Sequence, residues 1–106
     1  FEHYVDFVKK VHASLPNTEI MFIPIKPSPS RWSLWHDMEK TNHLVKKYSQ
    51  NNPLLYYVDT ASPMLNEIGK PKASLFVKDS LHLSQEGYDL WSSIVKPILY
   101  DLYMTK

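Results

Sequence analysis

The stretch EIMFIPI (residues 19–25) is an almost unbroken apolar run. It is too short for an ordinary helix and does not alternate between apolar and polar. A run of this kind suits a strand covered on both faces, as in a parallel sheet. Pro24 cannot donate to a ladder, so it belongs near the strand's end. A second run, LLYYVD (residues 54–59), reads the same way. Between the two lie a Pro/Ser loop, KPSPSRW, and a helical pattern over residues 33–49 through Leu34, Met38, Leu44, Val45 and Tyr48, stopped by QNNP.

Outward from this centre, Phe1, Tyr4, Val5, Val8, Val11 and Leu15 recur at spacings of three and four, which predicts an amphipathic helix broken by LPNT. Downstream, residues 60–76 are loop, with one short helical turn expected around residues 64–68. Ser84 is placed to cap a last helix reaching about Tyr103. Leu90, Trp91, Ile94, Val95, Ile98 and Leu99 mark its expected buried face, and Pro97 is expected to kink it.

The order is helix, strand, helix, strand, loop, helix, which implies an α/β architecture with parallel, adjacent strands. Two strands make a poor sheet. The pattern looks like the back half of a doubly wound domain, with the rest of the sheet expected from lost sequence, a second chain or a swapped dimer. The opening FEHYVDFVKK, already in mid-helix and without a starting Met, leads to the same expectation of an upstream portion.

Composition narrows the field. Hydrophobic residues are 43% of the 106, a globular share. Lys and Arg number 12 against 11 Asp and Glu, and the basic residues form no stripe along the sequence, so no nucleic-acid partner is expected. Cysteine is absent, which removes disulfides and thiolate metal sites and leaves the compartment open. No apolar run is long enough to span a membrane. His3, His12, His36 and His43 show no i, i+4 pair, so no metal site is expected, and the last three read as helix-surface residues.

In open α/β sheets, ligands sit beyond the carboxyl ends of the strands. The loops to inspect are residues 26–35, residues 59–66 and the stretch holding Asp79 and His82. On a turn, residues three apart can face one side. Asp79 could then accept a hydrogen bond from one imidazole nitrogen of His82, fixing the tautomer and leaving the other nitrogen as a base. The plain alternative is a decorated turn, and the spacing alone does not choose. Trp32 and Trp35 read either as the wall of a substrate pocket or as residues packed against the next helix. Asp59 reads as a supporting polar group or a turn cap. Ser28, Ser30 and Ser33 sit on a site-facing loop, but Ser and Pro are ordinary turn residues there and no nucleophile elbow frames any of them.

The flanking residues add to this. DSLHLSQEGY (residues 79–88), followed by an aromatic-rich helix, resembles the final sequence block of the SGNH (GDSL-type) hydrolases. FVKKVHASLPNTEIMFIPIKPSPSRW and NNPLLYYVDTASPML look like the segments that precede that block, so the resemblance spans most of the chain. It implies a flavodoxin-like, three-layer α/β/α sandwich, of which residues 1–106 form the C-terminal portion of one domain. It also implies ester hydrolysis by a Ser–His–Asp triad without a cofactor, on a small ester or acylated substrate, with Asp79 as the orienting acid and His82 as the general base. The family's nucleophile lies in a Gly-Asp-Ser block, and an Asn from a Gly-x-Asn-Asp block helps hold the oxyanion. Neither block occurs here. The nucleophile half is therefore expected on an N-terminal part of the same domain, on the same or a second chain. The competing readings are a non-catalytic α/β interaction domain and a carbohydrate-binding module built on Trp32 and Trp35.

Overall fold

A computed structural model describes residues 1–104. Helix α1 (Glu2–Ser14) leads to strand β1 (Ile20–Phe22), a 3₁₀ turn (Pro29–Leu34), helix α2 (Trp35–Ser49) and strand β2 (Leu55–Tyr57). Two short 3₁₀ turns follow, Ser62–Met64 and Ala73–Leu75, and then helix α3 (Gln85–Met104). The strands are adjacent and parallel, with Ile20 opposite Leu55, Met21 opposite Tyr56 and Phe22 opposite Tyr57. The architecture is mixed α/β, as expected, around a two-stranded parallel sheet.

Alternation along the strands decides which helix meets which face. Phe22 stacks on Tyr57, with ring centroids 5.9 Å apart, and meets Tyr4 of α1 edge-on at 5.1 Å. Tyr4 in turn meets Tyr48 of α2 at 6.2 Å. Val8 of α1 and Val45 of α2 are buried. Met21 and Tyr56 occupy the other face, where they share a cleft with Leu99, Leu102 and Tyr103 of α3. After α1, a ring nitrogen of His12 lies 2.8 Å from the Thr18 carbonyl and braces the chain reversal, so this histidine is part-buried structure and not plain helix surface.

Both strands are shorter than the apolar runs. β1 stops at Phe22 because the chain beyond it, including Pro24, leaves the ladder. Ile25 finds another partner: the side-chain amide of the buried Asn42 accepts from its N–H at 2.9 Å and donates to its C=O at 3.0 Å. One α2 residue thus replaces a neighbouring strand at that position. β2 ends where Asp59 turns the chain: the Thr60 N–H reaches back to the Val58 carbonyl at 2.8 Å. The expected helical turn over residues 64–68 is instead the 3₁₀ turn Ser62–Met64 followed by a bend in which the Asn66 side chain accepts from the N–H groups of Ile68 and Lys70.

A second core sits under the start of α3, where Met64, Leu75, Phe76 and Leu83 are buried and Leu90 and Trp91 pack against them. Farther along, the expected buried face of α3 is only half covered. Ile94, Val95 and Ile98 are half-buried, while Leu99, Tyr100, Tyr103 and Met104 are exposed. The cause is length. A 20-residue helix runs about 30 Å, whereas strands of three residues span about 10 Å. α3 runs through Pro97 without interruption. Among the described residues no helix is long and apolar enough to cross a membrane.

Candidate active site

The Asp79–His82 stretch is a closed turn. Phe76 and Leu83 form an antiparallel bridge at its base. The Val77 N–H donates to the His82 carbonyl and the Ser80 N–H to the Val77 carbonyl, both at 2.9 Å. Asp79 organises the tip. One carboxylate oxygen, Oδ1, accepts the N–H groups of Leu81 and His82, each at 2.9 Å. This Asx geometry is a standard use of aspartate in turns. It helps hold Ser80 at φ +57°, left-handed backbone that L-residues other than Asn and Asp seldom adopt.

The other oxygen, Oδ2, lies 2.5 Å from His82 Nδ1. Asp79 therefore shapes the turn with one oxygen and orients the imidazole with the other. The His82 ring hydrogen bond, then the His82 and Leu81 backbone N–H groups, hold the Asp79 carboxyl well below the usual carboxylate range. An ionised Asp79 can only accept, so Nδ1–H donates to it and Nε2 is left as the basic nitrogen. Nε2 makes no hydrogen bond among the described residues, and the His82 side chain is 73% exposed. The arrangement can accept a proton at Nε2 and stabilise the imidazolium that results.

Two contacts fix this turn to the fold. Ser84 caps α3 as expected: its Oγ accepts the Gly87 N–H at 3.2 Å and donates to the Ser74 carbonyl at 2.7 Å. Gly87 is needed for packing, since a Cβ there would lie 2.3 Å from the Leu75 carbonyl oxygen. On the other side, the Ser30 N–H donates to the Ser80 carbonyl at 3.1 Å. The loop leaving β1 is thereby docked onto the dyad turn, beyond the carboxyl end of the strand.

The remaining candidates sort themselves by burial and contacts. Ser28 is buried, and Ser30 and Ser33 are exposed. Trp32 and Trp35 stack with centroids 6.1 Å apart. Trp35 is buried and also lines a small pocket with Tyr57, Asp59 and Leu65. Neither Asp79 nor His82 lines that pocket. Burial and the Asp59 carboxylate push the Tyr57 phenol up to about 12, so it stays a proton donor there. Asp59 itself accepts the Ser62 N–H at 3.0 Å and is a turn cap. His3, His36 and His43 are exposed, and among the described residues no group of three His, Cys, Asp or Glu could hold a metal ion.

Sequence reasoning missed Asn42, whose only signal was a polar residue in mid-helix, and it missed Lys70. The Lys70 ammonium lies over the Trp32 ring, 5.9 Å from its centroid. Nothing in their separation along the chain announces that pair.

No protein-family profile and no curated protein matches the chain. Among solved structures it is similar to a Streptococcus pneumonia protein provisionally described as a platelet activating factor, with a TM-score of 0.75 and 22% identity over 89% of this chain. The chain spans 47% of that protein's length. At this identity the likeness shows a shared fold.

Proposed function

We propose that the complete protein is a serine ester hydrolase of the SGNH type, to which this chain contributes the acid and the base. The observation that carries the reading is the Asp79–His82 pair: Nδ1 is tied to an ionised carboxylate at 2.5 Å and Nε2 is presented outward. In this reading a serine hydroxyl on another part of the domain gives its proton to His82 Nε2 as its oxygen attacks the ester carbonyl. The imidazolium, held by Asp79, then protonates the leaving alcohol. A water enters by the same proton route and releases the acid. The oxyanion donors come from that other part too, since this chain has no Gly-x-Asn-Asp block.

We infer that β1 and β2 are part of a wider parallel sheet in a three-layer sandwich. The half-covered α3 supports this, as does a structural neighbour about twice as long as the aligned chain. A carbohydrate-binding module is less well supported, because Trp35 is buried and Trp32 stacks on it instead of the two forming an open platform. A non-catalytic interaction domain that keeps the turn as fold architecture accounts for the Asp79 Oδ1 contacts and leaves the outward Nε2 of an oriented imidazole without a role. The test is turnover of p-nitrophenyl acetate by the full-length protein and its loss in His82→Ala.

A further inference from the structure

The two segments that meet at the Ser30–Ser80 hydrogen bond differ in charge from the rest of the chain. Residues 26–34 and 65–84 together carry five basic residues, Lys26, Arg31, Lys70, Lys72 and Lys78, and two acidic ones, Glu67 and Asp79. The whole chain has 12 basic and 11 acidic residues, so the remainder taken together carries 7 basic and 9 acidic ones. Asp79 is already engaged by His82, and Glu86, at the start of α3, accepts a hydrogen bond from Ser74. The positions matter as much as the count. Arg31 follows Ser30 directly and Lys78 precedes Asp79 directly. Lys70 lies on the face of Trp32, two residues from Ser30. Arg31, Lys70, Lys72 and Lys78 are all exposed.

We propose that the dyad selects esters carrying a negative charge near the scissile carbonyl, with Arg31, Lys70 and Lys78 as specificity-determining residues. This inference rests on the hydrolase reading above. An outward imidazole on a turn that carries Lys78 and is docked onto the Arg31 loop, with no unpaired carboxylate but Glu67 in the same segments, favours an anionic substrate and raises its local concentration. The Lys70–Trp32 pair would hold a positive charge against an aromatic ring. That suits an acyl or alcohol group ending in a carboxylate, sulfate or phosphate.

The full-length protein would be assayed with p-nitrophenyl hexanoate and with the p-nitrophenyl half-ester of adipic acid, which differ by a carboxylate in place of the terminal methyl and whose carboxylate is too far from the ester to attack it readily. The ratio of kcat/KM, anionic over neutral, is expected to exceed that of uncatalysed hydroxide hydrolysis by about tenfold. One charge at about 7 Å in water is worth roughly threefold, so the Arg31→Gln, Lys70→Gln double variant should lower the ratio severalfold. Raising the salt from about 0.05 to 0.5 M should lower it without any mutation, because these charges are exposed. A ratio no greater than that of hydroxide and indifferent to salt, with both esters still turned over, would overturn the specificity and leave the hydrolase reading standing. Turnover of neither ester would overturn both.

Discussion

Ser30 gives its backbone N–H, not its hydroxyl, to the Ser80 carbonyl at the tip of the dyad turn. The contact is structural and leaves the side chain outside the machinery. Ser30→Ala is therefore expected to keep ester turnover within about twofold of wild type, since the main-chain donor survives. A loss of several orders of magnitude would instead make Ser30 a local nucleophile, and the proposal of a nucleophile elsewhere in the domain would fall.

The Asp79 carboxyl is held below its ordinary value by the His82 ring and two backbone N–H groups. For a group whose folded value is depressed, the stabilisation is present above the unfolded value, about 3.9, and is lost as pH falls through the folded one. Asp79→Asn should thus melt below wild type at pH 7, and the gap should narrow as the pH is taken below about 4. Thermal melts of both proteins at pH 7 and pH 3 check this. A gap unchanged at pH 3 would mean that the ionised carboxylate contributes nothing specific.

Gly87→Ala places two effects in opposition. Alanine favours the helix by about 1 kcal/mol. Here, however, its Cβ would meet the Leu75 carbonyl at 2.3 Å, backbone that cannot rotate away. Overpacking of this kind typically costs about 1–3 kcal/mol, so the urea midpoint should fall. A midpoint equal to or above wild type would show that the contact between α3 and the 3₁₀ turn Ala73–Leu75 yields easily.

Residues 1–106 alone are expected to associate. Leu99, Tyr100, Tyr103 and Met104 of α3 are exposed, and among the described residues β1 and β2 pair only with each other. Exposed apolar surface and an unpaired strand edge both recruit other chains. Light scattering on the purified segment should show oligomers or aggregates. A monomer with a cooperative melt would contradict the wider-sheet reading.

The parallel strands were legible because two unbroken apolar runs joined through a helical pattern admit few other folds. The dyad was legible because Asp and His three apart on a turn need only local geometry to meet. Other features needed the third dimension. The Asn42 clamp on Ile25 joins residues 17 apart, and Lys70 meets Trp32 across 38 residues, distances at which no periodicity operates. The ends of the strands were overrun because an apolar run records burial and not ladder pairing. Burial on α3 was overestimated because periodicity shows which face is apolar and not how much sheet lies beneath it.

The central claim is that His82, oriented by Asp79, is the base of an ester hydrolase, and one measurement addresses it most directly: steady-state hydrolysis of p-nitrophenyl acetate by the full-length protein and by its His82→Ala variant, with folding of both checked by circular dichroism. The wild type should turn the ester over, and the folded variant should lose on the order of 10⁴ to 10⁶ in kcat. A folded His82→Ala protein with near-normal turnover, or a folded wild type with no turnover of this or the adipate half-ester, would contradict the account.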